Sequence, residues 1–146
     1  MAGPTDPAEA HFDKGLWGFD GTVWRKLPYL WGYSDRYAAS VENTNAAAGS
    51  NALYLTAVPE NELWKIEIVK ALNYNKLVET TLLMKSAAGD YVEFYRETPT
   101  VLTKAMFWTG SITAKYGDQV CASFIGCDAG NDLFLTAWGT KMYLAL

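Results

Sequence analysis

Alternation of apolar and polar side chains carries most of the structural information in this chain. In LWKIEIVKAL, residues 63–72, Trp64, Ile66, Ile68 and Leu72 fall on one face of an extended segment, with Lys65 and Glu67 on the other. YVEFYR sets Val92 and Phe94 against Glu93, and QVCASFIG sets Val120, Ala122 and Phe124 against Cys121, Ser123 and Ile125. The last segment has two fairly apolar faces, the pattern of a strand covered on both sides. Segments of period two or of strong β composition recur at 16–19, 22–27, 35–43, 51–57, 63–72, 77–85, 91–96, 100–108, 119–126, 132–138 and 141–145. Between them SAAGD, KYGDQ and CDAGND place Gly beside Asp or Asn, which marks turns. YAASVENTNAAA has some helical propensity but no apolar stripe at three-to-four spacing, so no helix is expected.

Short strands with a turn about every eight to twelve residues describe an all-β sandwich or barrel. With a leading hairpin set aside, about eight strands remain, the count of a jelly roll. A count alone does not separate that topology from an immunoglobulin-like sandwich, although the Cys–Trp–Cys pattern of the latter is missing. Residues 63–72 and 119–126 are expected at sheet centres, because their apolar content is densest.

The leading hairpin is read from GLWGFDGTVWRKLPYLWGY, residues 15–33. Trp17, Trp24 and Trp31 are evenly spaced by seven, but Gly15, Gly18, Gly21, Pro28 and Gly32 interrupt any heptad helix. Asp20-Gly21 is a type I′ turn signal between LWGF and TVWRKL, and Pro28 marks the exit. Residues 1–14 carry Pro4, Pro7, small residues and acids, the composition of an extended arm. The expected organisation is an arm over 1–14 followed by one β domain over 15–146 that includes the hairpin.

Composition narrows the function. Of 146 residues 50% are apolar and 14% aromatic, which excludes a disordered body. A net charge of −4 argues against a nucleic-acid partner, since such binding replaces counterions with basic patches. No apolar run approaches the roughly 18 residues of a membrane span, so no membrane partner is expected. The N-terminus lacks the basic region and apolar core of a secretory signal, which points to cytoplasmic synthesis. Cys121 and Cys127, if extended, stand about 20 Å apart, too far for a disulfide and too few for zinc.

Catalytic patterns are sparse. The single histidine, His11, sits in the arm, where preorganisation fails. AAAGS, residues 46–50, lacks the lysine of a phosphate loop. Glu60, Glu62, Glu67, Glu79, Asp90 and Glu93 fall in loops or on polar strand phases, where a solvated charge is the default against a glycosidase pair. Asp128, Asn131 and Asp132 cluster hard oxygens, yet turn stabilisation is preferred over calcium there. The expectation is a non-enzyme with no cofactor and no metal.

Aromatic residues are in surplus: six Trp, nine Tyr and six Phe. The core claims Trp64, Phe94 and Phe124 together with Leu133. The leading cluster of Trp17, Phe19, Trp24, Tyr29, Trp31 and Tyr33, with Phe12 of the arm, is harder to hide in an eight-stranded domain and suits partner contact. An exposed Trp or Tyr platform for carbohydrate is the alternative use.

GFDGTVWRKLPYLWGYSDRY resembles a segment of small tailed-phage virion proteins, a DG-x-x-W-R-K-L hairpin ahead of a β domain. AVPENELWKIEIVKAL is similar to a VP-x-x-x-x-W-x-I start of a jelly-roll strand. YGDQVCASFIG and DLFLTAWGTKMYL are similar to the turn and closing strands of compact trimeric jelly rolls, among them tumour-necrosis-factor-like folds and some capsid decoration proteins. The resemblance covers most of residues 15–146, and no fibre-like repeat accompanies it. It implies a structural protein on the capsid surface of a virion, cementing the head as a homotrimer, with the major capsid protein or another virion protein as partner. A tail- or receptor-associated module is the other virion role of such a fold. An arm of about fourteen residues that orders on contact costs on the order of 15–25 kcal/mol of backbone entropy. An extended groove or an added strand on a sheet edge could offset that.

Overall fold

The structure, a computed structural model, describes residues 17–19, 24–26, 35–102 and 105–144. The strands run in chain order as β1 (Trp17–Phe19), β2 (Trp24–Lys26), β3 (Asp35–Asn43), β4 (Gly49–Tyr54), β5 (Glu62–Asn73), β6 (Glu79–Lys85), β7 (Tyr91–Glu97), β8 (Met106–Ala114), β9 (Gln119–Cys127) and β10 (Leu133–Tyr143). No helix occurs among the described residues. Strands β3 to β10 form two four-stranded sheets of order β3-β10-β5-β8 and β4-β9-β6-β7, antiparallel throughout. The expected all-β antiparallel sandwich of eight strands is therefore present. Its two apolar-dense segments, now β5 and β9, are interior strands of different sheets.

The pairing is nested. β3 pairs with β10, β4 with β9, β5 with β8 and β6 with β7. The chain thus forms one long antiparallel double strand, folded over so that β10 meets β5 and β9 meets β6. Between the sheets lie Tyr37, Leu53, Trp64, Ile66, Val69, Leu82, Phe124, Leu133 and Leu135. Full burial of one such large side chain contributes roughly 1.5–3 kcal/mol. Trp64 stacks on Tyr37 with ring centroids 4.2 Å apart, and its Nε1 donates to Glu62 Oε2 at 2.5 Å. Phe94 meets Trp108 edge-on at 5.0 Å, linking the outermost strands of the two sheets.

Simple alternation fails at two bulges. In β5 the register shifts between Ile66 and Ile68 against β8, and Ile66 and Ile68 face the consecutive residues Gly139 and Trp138 of β10. Glu67 is left without a partner, and the side-chain phase inverts. Trp64 and Ile66 point inward as expected, but Val69 and Ala71 take over the core positions beyond the bulge. Ile68 and Leu72 move to the outer face, which corrects the four-residue inward stripe expected from sequence, although Leu72 is buried there. In β7 the pairing passes from Leu82–Tyr95 to Leu83–Glu93 and skips Phe94. Val92, expected inward, is 65% exposed on this edge strand.

Two boundaries also differ from expectation. The strand expected over 100–108 is instead Met106–Ala114, because TGSITA is small and polar yet lies at a sheet edge where one face needs little apolar content. The two strands expected at 132–138 and 141–145 are one, β10. Gly139 is no turn: a Cβ there would overlap the Lys65 carbonyl oxygen, so glycine lets β10 lie against the bulge. At the leading hairpin, β1 and β2 pair antiparallel with Phe19 opposite Trp24. The turn expected at Asp20-Gly21 lies outside the described residues. The arm over 1–14 and the Pro28 exit lie outside the described residues.

The bulge makes Ile66 and Ile68 unequal. Ile66→Ala should cost about 2–5 kcal/mol and Ile68→Ala under about 1.5 kcal/mol, measured by urea unfolding. Equal losses would mean that the phase does not invert.

Tyr37 supplies a second check. Its hydroxyl is buried with no hydrogen-bond partner among the described residues, and burial pushes its pKa up to about 12. The folded protein therefore holds this proton where the unfolded chain releases it. The stability is complete below about pH 10 and falls by roughly 2–3 kcal/mol as pH rises through 12. Tyr37→Phe should be neutral or slightly stabilising at pH 7 and should flatten that alkaline decline.

Candidate binding surfaces

The residues assigned from sequence to partner contact divide by position. Trp17, Phe19 and Trp24 stand on β1 and β2, with Trp17 opposite Lys26 and Phe19 opposite Trp24. Phe12, Tyr29, Trp31 and Tyr33 lie outside the described residues. What the described domain itself presents is two outer sheet faces, and both carry aromatic residues that sequence reasoning did not single out.

On the sheet β4-β9-β6-β7, alternation sends Leu53, Ala122, Phe124 and Leu82 inward and Tyr54, Cys121, Ser123, Leu83 and Lys85 outward. Register places Tyr54 beside Cys121, Cys121 beside Leu83, and Lys85 between Gln119 and Tyr91. Tyr54 and Tyr91 stand on the two edge strands, yet their hydroxyls meet at 3.2 Å. Three strand spacings separate those edges, about 14 Å. The two side chains therefore lie along the sheet and span it end to end. Each keeps ring surface in solvent, with Tyr54 41% and Tyr91 49% exposed.

Lys85 rises between the two rings. Its Nζ is 5.5 Å from the Tyr54 centroid and 5.8 Å from that of Tyr91, within cation–π range of both. No carboxylate among the described residues is within ion-pair distance of Lys85. The outward carboxylates of Glu79 and Glu93 are held by Arg96, at 3.4 and 2.6 Å. The hydrogen bond to Tyr91, followed by partial burial, pushes the Tyr54 phenol up to about 12, so it stays neutral at physiological pH. Beneath the pair Cys121 is buried although it points outward, and its Sγ donates to the Leu83 carbonyl at 3.4 Å. Burial, against an opposing pull from Lys85, pushes its thiol up to about 11.

On the sheet β3-β10-β5-β8, the bulge places Trp138 beside Ile68, in a row with Ala38 and Thr109. Phe107, 52% exposed, lies one row away opposite Lys70. Trp138 is 38% exposed. A signal for these residues was available. Tyr54 follows Leu53, and Trp138 follows Leu133, Leu135 and Ala137, so each is an aromatic on the phase opposite a run of core residues.

The turn between β9 and β10 has a structural use for its hard oxygens. Asn131 Oδ1 accepts from the Asp128 backbone N–H at 3.0 Å and from Asn73 Nδ2 at 2.9 Å. Asp128 Oδ1 accepts from Lys76 Nζ at 2.8 Å, and Asn75 Oδ1 accepts from the Asp132 N–H. A crevice beside Leu72, Val78, Pro99 and Leu102 holds about 10 Å³, one water molecule's worth. Among the described residues no three His, Cys, Asp or Glu side chains gather as a metal site.

No known protein-family model matches the chain, and no curated protein matches it.

The tyrosine roof should govern access to Cys121. In the intact protein a disulfide-exchange reagent at pH 8 should leave Cys121 almost unmodified, since the thiolate is scarce and covered. Tyr54→Ala should raise its labelling rate at least about tenfold, as seen by peptide mapping, with buried Cys127 unchanged as the internal reference. An unchanged Cys121 rate would mean that Tyr54 is not its cover.

Proposed function

We propose that the protein is a non-enzymatic structural component of a virion, a decoration protein that cements the capsid of a tailed phage as a homotrimer. The observation that carries this is the nesting of β3 with β10, β4 with β9, β5 with β8 and β6 with β7. That winding of one folded double strand supports a jelly roll over other eight-stranded sandwiches, and jelly rolls are common among capsid and lectin domains. The sequence resemblance to small virion proteins and to trimeric, tumour-necrosis-factor-like jelly rolls supports the same reading.

In this proposal the sandwich is a rigid body and adhesion is delegated. Trp17, Phe19, Trp24, Tyr29, Trp31 and Tyr33 form the root of attachment, and the arm with Phe12 extends it along the major capsid protein or another virion protein. Large flat aromatics suit such a task, because they bury much area for few ordered torsions. Trp138 and Phe107, exposed on the first sheet, offer apolar area for contact between copies.

Light scattering on the purified chain should give a trimer, and a stable monomer at micromolar concentration would overturn the assembly. Deleting residues 1–14 removes Phe12 as the only large apolar side chain besides Met1, so the melting temperature should barely change. Occupancy on capsids stripped of this protein should fall instead. Burying the Phe12 ring contributes about 2–3 kcal/mol, roughly thirtyfold to a hundredfold in affinity per arm, compounded over three arms. Equal occupancy would leave attachment to the hairpin alone.

A further inference from the structure

The geometry points to the Tyr54–Lys85–Tyr91 platform as a binding site for a carboxylate-bearing sugar, such as a uronic acid unit of a polysaccharide. The inference is independent of attachment to any particle, since it concerns only the outer face of the second sheet.

Three features select the ligand. First, the platform is broad: two rings reach across the whole sheet to meet hydroxyl to hydroxyl, and each residue stays substantially exposed to solvent. Aromatic ring surface tipped with hydroxyls matches the C–H face and rim of a pyranose better than a compact side chain. Second, the platform is preorganised. The phenols are tied to each other, and Tyr91 is anchored at the start of β7 by the turn in which Ser86 Oγ accepts from the Asp90 N–H at 3.1 Å. Little side-chain freedom remains to be lost on binding.

Third, the platform has a charge without a counterpart among the described residues. Lys85 carries three donors and stands between the rings, while Arg96 occupies the carboxylates of Glu79 and Glu93 further along the same face. Asp90, in the adjoining turn, makes no ion pair with Lys85. An anion placed on the rings therefore gains a charge-assisted hydrogen bond without displacing a carboxylate partner among the described residues. The net charge of −4 does not forbid this, because repulsion from charges farther than about 8 Å is screened at physiological ionic strength. The Tyr54 phenol stays protonated well past neutral pH, so it does not add negative charge beside the ligand.

The test is calorimetric titration of the intact chain with trigalacturonate, its neutral counterpart galactotriose, and hexaglutamate as an acidic peptide. Trigalacturonate should bind saturably and at least about tenfold more tightly than galactotriose, with the preference shrinking as salt is raised. Lys85→Gln should bring the acidic sugar down to the neutral one, and Lys85→Arg should keep the preference. Tyr91→Ala should weaken both sugars at least about tenfold, since each loses its stacking surface. Both positions are outward-facing, and a melting temperature within a few degrees of the parent confirms that the variants fold. No saturable sugar binding by the parent chain overturns the site, as does a preference that survives Lys85→Gln. Hexaglutamate binding as tightly as trigalacturonate would assign the face to an acidic protein segment and overturn the sugar.

Discussion

The contact on which this sandwich turns is the close approach of Gly139 to the Lys65 carbonyl. β10 must pair along its length with both β3 and β5, and it is the seam that joins the outer limb of the folded double strand to the inner one. β5 carries one residue more than β10 can match, and Glu67 is that residue. A side chain at position 139 would collide with the backbone at Lys65 and pry the two strands apart at the bulge. Glycine removes the collision, and the cost of its extra chain freedom, up to about 1 kcal/mol, is small beside an eleven-residue seam.

The same bulge decides what the first sheet shows to solvent. Because the phase inverts after Ile66, Val69 and Ala71 complete the core while Ile68 turns outward beside Trp138. With unbroken alternation in place of the bulge, Ile68 would be buried and Glu67 would hold the outward position beside Trp138. An apolar pair on the outer face is therefore a product of the register and not a packing accident. Phe94 plays a related part in β7, where leaving the ladder lets it reach Trp108 across the sandwich.

Sequence patterning conveys much of this fold and little of its surface. β3, β5, β6, β7 and β9 are legible because each pairs a core phase with turn residues at its ends, and the central places of β5 and β9 follow from apolar density. β8 escapes, since an edge strand facing solvent on one side can be built from Thr, Gly and Ser. β10 is read as two strands because glycine inside a strand and glycine in a turn look alike until the neighbouring backbone is known. The tyrosine platform escapes for a further reason. Tyr54 and Tyr91 are 37 positions apart on strands that never pair, and only the sheet order brings their hydroxyls together.

The two outer faces are unequal in what it costs to dry them. Covering Trp138 and Ile68 removes mostly apolar surface from water, with Lys65 already paired to Glu67 at 3.3 Å. Phe107, by contrast, stands opposite Lys70, which makes no ion pair among the described residues. Covering Tyr54 and Tyr91 would also strip water from a lysine that has no carboxylate partner among the described residues, and from phenol oxygens that hold only one hydrogen bond between them. Desolvating an unpaired ammonium costs several kcal/mol unless a fitted anion replaces the water. Of the two faces, the Trp138–Ile68 part of the first sheet would therefore be the easier to dry. The second sheet favours a wetter contact with a ligand that brings its own negative charge.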